Sequence, residues 1–231
     1  MDDGRERHLT IDGLNVALFP AARAGSPLVL LCGEAGEAAA VHGAVRGRTC
    51  ADFSLAAVSG VDWNADLSPW PAAAVFAGGG AFGGGADAFL LTLTERVLPR
   101  VVDALGERPA WTGLAGYSLA GLFAVYSLYR TEAFSRVASA SGSLWFPGFI
   151  DFARCAAMRR TPERVYLSLG DGEARTRNPA LRTVRDDTEA LYRHYAEMGI
   201  PAVFELNPGN HFRDVTERTA RGVAWLLSDT L

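Results

Sequence analysis

Gly116-Tyr117-Ser118-Leu119-Ala120-Gly121 is the stretch whose residue types best suit covalent chemistry. It follows an apolar run at 111–115 and precedes a helical pattern, so it reads as a G-x-S-x-A-G turn between a strand and a helix. Small neighbours let backbone segments crowd together there and hold the Ser118 hydroxyl exposed. The helix opening at Leu119 aims its first N–H groups at developing negative charge. The strict pattern has glycine where this chain has Ala120, a sterically mild change. A serine that only caps a helix is the plainer reading, and the strand–turn–helix context favours the nucleophile.

A serine nucleophile needs a base, and the chain holds four histidines, His8, His42, His194 and His211. His8 sits in a charged N-terminal tail, His42 falls in the helix after the first core strand, and His194 lies on a long polar helix. His211 stands in Asn207-Pro208-Gly209-Asn210-His211-Phe212, a turn just after the last strand, and the order serine, acid, histidine suits a serine triad. The acid is expected after the strand at 165–169, whose exit reads Gly170-Asp171-Gly172-Glu173-Ala174-Arg175. Glu173 is preferred because it can reach around to the imidazole Nδ1 side, with Asp171 as the alternative. An oxyanion would be bound by the backbone N–H of Leu119 and by that of Glu34 or Gly33, in the loop after the first core strand.

These groups must be carried by a scaffold. Strand-length apolar runs at Leu14–Phe19, 27–32, 53–58, 111–115, 137–140, 165–169 and 202–206 alternate with helical patterns near 35–46, 86–105, 119–130, 147–158, 179–198 and 212–228. Pro99 is expected to kink or break the second helix. Alternating strand and helix imply βαβ units, a mostly parallel sheet and helices on both faces, within one domain over 1–231. In such sheets reactive groups gather at the carboxyl ends of the strands, where the serine, the acid and the histidine all fall. The Gly-rich tract at 78–85 reads as a loop inside that domain and lacks the Lys-Ser/Thr end of a P-loop.

Composition narrows the alternatives. The 231 residues carry a net charge of −4, and all 22 basic residues are arginine. That balance argues against nucleic-acid binding, and no apolar run is long enough to span a membrane. With no apolar leader visible and three scattered cysteines, the expected location is cytoplasmic. No cluster suggests a metal, and the chemistry requires no cofactor.

The chain resembles the esterase family of α/β-hydrolases that includes ferric enterobactin (enterochelin) esterases and S-formylglutathione hydrolases. The resemblance is carried by GYSLAGLFAVYSLY (116–129), SASGSLWF (139–146), LSLGDGEARTRN (167–178) and NPGNHF (207–212), with support from DWNADLSPWP (62–71) and FGGGADAFL (82–90). It implies an α/β-hydrolase fold with little or no cap, Ser118 as nucleophile, His211 as base and hydrolysis of a carboxylic ester. Ser-Leu-Trp in the second motif favours the enterochelin-esterase branch, so a siderophore-type or other bulky ester is the expected substrate. Phe146 stands where a second tryptophan is expected, and the separate N-terminal domain of some siderophore esterases is not expected here.

Trp145 and Phe146 are expected to wall the substrate, and Arg175 and Arg177 to attract an anionic one. The partners expected are a small-molecule ester and, for assembly, a homo-oligomer. Acyl transfer to another alcohol and a non-catalytic binding module of the same fold are the competing functions.

Overall fold

A computed structural model describes residues 6–75 and 78–228. The strands are β1 (Arg7–Ile11), β2 (Leu14–Phe19), β3 (Leu28–Cys32), β4 (Ser54–Ser59), β5 (Pro71–Ala72), β6 (Phe82–Gly83), β7 (Thr112–Tyr117), β8 (Arg136–Ala140), β9 (Arg164–Gly170) and β10 (Ala202–Asn207). The helices are α1 (Ala38–Arg46), α2 (Trp63–Asp66), α3 (Ala86–Thr92), α4 (Leu98–Leu105), α5 (Leu119–Ser127), α6 (Phe149–Cys155), α7 (Pro179–Arg182), α8 (Val184–Glu197) and α9 (Val215–Leu227).

Eight strands form one sheet in the order β1-β2-β4-β3-β7-β8-β9-β10. From β4 to β10 every neighbouring pair is parallel, and β2 pairs antiparallel with β1 and β4. The sheet is thus mostly parallel with helices on both faces, the α/β-hydrolase arrangement expected.

Strand β3 shows why these sequences become central strands. All five of its residues are buried. Leu28, Leu30 and Cys32 join the core under α3–α6 and α8, while Val29 and Leu31 join the core under α1 and α9. A strand covered on both faces needs an unbroken apolar run, because successive side chains alternate between faces. Helix α5 is buried along its whole length, consistent with a helix apolar all round.

Three local expectations change. Residues 7–11, read as a polar tail holding His8, form edge strand β1, closed onto β2 through Asp12 and Gly13 at φ 50° and 84°. Two consecutive positive φ angles are what a two-residue hairpin needs, and Asp-Gly supplies them. Pro99 does not break its helix. A single π turn, Leu93–Val97, lies just before it, and a wide turn there makes room for the ring and its missing donor. The Gly-rich tract is partly structured, since Phe82–Gly83 pairs with Pro71–Ala72.

Candidate active site

Strand β7 delivers Ser118 at the carboxyl edge of the sheet, and the turn there is shaped by close packing. A Cβ on Gly116 would lie 2.4 Å from the backbone carbon and oxygen of Ala120, and one on Gly121 would lie 2.9 Å from Ser139 Oγ. Only the smallest residues let α5 begin so close to the strand it follows. Ser118 itself adopts φ 56°, a left-handed backbone rare for a side-chain-bearing residue and costly unless its surroundings enforce it. They do: Ser118 N–H donates to Ala140 O (3.1 Å), and Ser118 O accepts from Ser143 N–H (2.9 Å) and Leu122 N–H (3.1 Å).

The hydroxyl of Ser118 lies 3.0 Å from His211 Nε2 and 3.3 Å from Ser143 Oγ. His211 Nδ1 in turn lies 2.7 Å from Glu173 Oε2. The other oxygen of Glu173 accepts from Gly170 N–H (2.7 Å) and from Arg218 Nη1 (3.1 Å). Asp171, the alternative acid, is turned to another task. Its Oδ1 accepts from Gly209 N–H at 2.9 Å and ties the acid loop to the histidine loop.

Arg218 is the residue that sequence reasoning missed. Its side chain is 1% exposed and its partner Glu173 is 5% exposed. From α9 it donates to Glu173, Ser141 Oγ (3.1 Å), Tyr117 OH (3.3 Å) and the carbonyl of Pro208 (3.0 Å). Tyr117 OH donates to the His211 carbonyl at 2.6 Å. Burial pushes the Tyr117 phenol above its ordinary range, which keeps it a donor. A signal did exist: Arg218 stands four and eight residues before Gly222 and Leu226, in register with the buried stripe of α9.

Leu119 supplies the first amide of α5, where helix geometry leaves the N–H groups without intrahelical partners. In the loop after β3, the Gly33 N–H donates to Val58 O at 3.1 Å. The parallel ladder consumes that donor, which removes Gly33 from the two expected candidates and leaves Glu34. His42 stacks on Phe19 (4.5 Å between centroids), with Phe53 on it as well, and burial followed by the Arg46 charge lowers its pKa. It packs the far side of the sheet.

A cavity of about 140 Å³ opens beside Ser118 and His211, walled by Trp145, Leu181, Val184 and Phe212. Trp145, expected to wall the substrate, lines this cavity. Phe146, expected beside the substrate, is 2% exposed and packs against Trp70, Phe82 and the back of Trp145 in the core. Arg175 is exposed and pairs with Asp171 at 3.6 Å; Arg177 is exposed as well, and neither lines the cavity. Among the described residues no group of three or more His, Cys, Asp or Glu side chains is placed to hold a metal, and no helix is long and apolar enough to cross a membrane.

Solved structures share this architecture. The siderophore hydrolase EstA from Aspergillus nidulans superposes with a TM-score of 0.75 at 20% identity, covering 96% of this chain and 93% of that one. The enterobactin hydrolase IroE, in complex with DFP, gives 0.72 at 18% identity over 98% and 95%. Among curated proteins, the uncharacterized protein YbbA of Bacillus subtilis (strain 168) is 25% identical over 137 residues, 58% of this chain and just over half, 55%, of that protein's length. The family model described as "Putative esterase" matches residues 34–212, well over half of the chain, and the chain belongs to that esterase family.

Proposed function

We propose that this protein is a serine hydrolase that cleaves a carboxylic ester through an acyl-enzyme on Ser118. The observation that carries the reading is the unbroken chain from Ser118 Oγ through His211 to Glu173, at 3.0 and 2.7 Å. His211 Nε2 takes the hydroxyl proton as Ser118 Oγ attacks the ester carbonyl, and the C=O bond becomes a single bond to an oxyanion. The N–H groups of Leu119 and Glu34 stabilise that charge. The tetrahedral intermediate collapses, the alcohol leaves with the proton from His211, and water repeats the sequence to release the acid.

Glu173 fixes the imidazole tautomer and stabilises the imidazolium, the role of the acid in such triads. Arg218 and the Gly170 N–H hold its second oxygen, so the carboxylate cannot rotate away from His211. The structures similar to this one include a siderophore hydrolase and an enterobactin hydrolase, which set the bulky end of the substrate range to assay.

The test is hydrolysis of p-nitrophenyl esters by the wild type beside Ser118→Ala, with a fluorophosphonate probe to map the reactive residue. Activity in the wild type, its loss by at least about 10³-fold in the variant, and an adduct on Ser118 are expected. Equal activity in both proteins would remove Ser118 from the mechanism. No turnover of any ester and no adduct would favour a binding module instead.

A further inference from the structure

We propose that the cavity beside Ser118 binds a compact, uncharged, apolar substituent of the ester, about one aromatic ring in size, and that Phe212 is the wall that closes against it. The inference rests on the serine-hydrolase reading and adds the substrate class to it.

Size is the first argument. The cavity holds about 140 Å³, and an apolar cavity of about 150 Å³ is enough to take benzene. Wall chemistry is the second. Trp145, Leu181, Val184 and Phe212 present carbon, and the ionisable side chains of the lining, Glu173 and His211, are already joined to each other. No arginine lines the cavity: Arg175 and Arg213 pair with Asp171 and Asp214 on the surface, and Arg218 is held by Glu173 beneath the site. An anionic substituent would lose its hydration with no wall cation in return, a cost that excludes it.

Phe212 is the third argument. Its ring is 84% exposed, the most exposed of the large hydrophobic residues described. Its backbone is tied into the turn, where Phe212 N–H donates to Asn210 Oδ1 at 3.0 Å. The ring stands edge-on to His211, 5.3 Å away and at 89°. An aromatic ring held in water beside the catalytic base is covered when an apolar group fills the space between it and Trp145. Trp145 is backed by Phe82 and Phe146, so that side of the cavity is rigid.

The experiment compares kcat/KM for p-nitrophenyl acetate, butyrate, benzoate, decanoate and hemisuccinate. Butyrate and benzoate should exceed acetate by about tenfold, decanoate should fall back, and hemisuccinate should lie about a hundredfold below butyrate. Phe212→Ala should collapse the benzoate-to-acetate ratio by about tenfold, and Leu181→Trp, which fills the space, should do the same. A flat profile, a preference for decanoate or hemisuccinate, or ratios unmoved by both variants would overturn the assignment.

Calorimetric titration of Ser118→Ala with ethyl benzoate and with monoethyl succinate separates this inference from the one beneath it. Selective binding of the benzoate supports the cavity assignment even if the wild type turns nothing over, a result that would sink only the hydrolase reading. Turnover with equal or absent binding of the two esters would sink only the cavity assignment.

Discussion

The turn that carries Ser118 and the turn that carries Glu173 leave parallel strands at the same edge of the sheet, yet they are fixed by different forces. Around Ser118 the constraint is steric. Gly116 and Gly121 are small because the backbone of Ala120 and the hydroxyl of Ser139, with the backbone of Gly116 and Gly142, occupy the space a side chain would need. Around Glu173 the constraint is polar. A buried guanidinium from α9, the Gly170 amide and the imidazole of His211 take up both carboxylate oxygens. Steric constraint of this kind is local in sequence, since the strand, turn and helix are contiguous. The polar constraint joins residues 38 and 45 positions apart and forms only when the whole domain is assembled.

That contrast can be broken from either side. The largest effect is expected from Glu173→Gln, which keeps the shape but reverses the hydrogen bond to His211; kcat should fall by about 10⁴-fold. A fall of less than about tenfold would show that His211 works without this acid. Next comes Arg218→Met. It leaves a buried carboxylate without its cation, a change that costs about 3–5 kcal/mol, read by urea denaturation. Adding Glu173→Gln to that variant should recover part of the lost stability and none of the activity. If Arg218→Met lost less than about 1 kcal/mol, the acid turn would not be held by this ion pair.

Gly116→Ala probes the steric side, because its methyl meets backbone that cannot swing aside. Overpacking there should cost about 1–3 kcal/mol and lower Tm by about 2–12 °C. An unchanged Tm would mean that the strand and helix are less tightly joined than their atoms indicate. The smallest effect is expected from Asp171→Asn. The amide oxygen can still accept from Gly209, and the side chain is half exposed, so stability should move by about 0.5 kcal/mol and kcat by less than about threefold. A large loss of kcat would restore Asp171 as a candidate acid.

The same difference explains how much was legible in the sequence. The central strands and the Ser118 turn could be read because they depend on near neighbours: five consecutive apolar residues in β3, or small residues bracketing a serine. The position of His211 after the last strand followed from chain order. The choice of Glu173 over Asp171 could only be a preference, since the contacts that distinguish them, His211 and Arg218 on Glu173 and the Gly209 amide on Asp171, join residues far apart in the chain. Phe146 was misplaced for a related reason. The two adjacent rings pack on each other, Trp145 lining the cavity and Phe146 buried behind it, and the motif did not reveal which one reaches the cavity. Leu181, Val184 and Phe212 carried no motif and became visible only once the fold brought them together.

The 93 positions between Ser118 and His211 also have a meaning in time. A ribosome adding about 5–20 residues per second needs roughly 5–20 s to pass from one to the other. Through that interval the serine turn can form on β3 and β7 while its base has not yet been made. On the proposed mechanism, the nascent chain would therefore carry a nucleophile without its base until the last strand, β10, and the loop behind it are made.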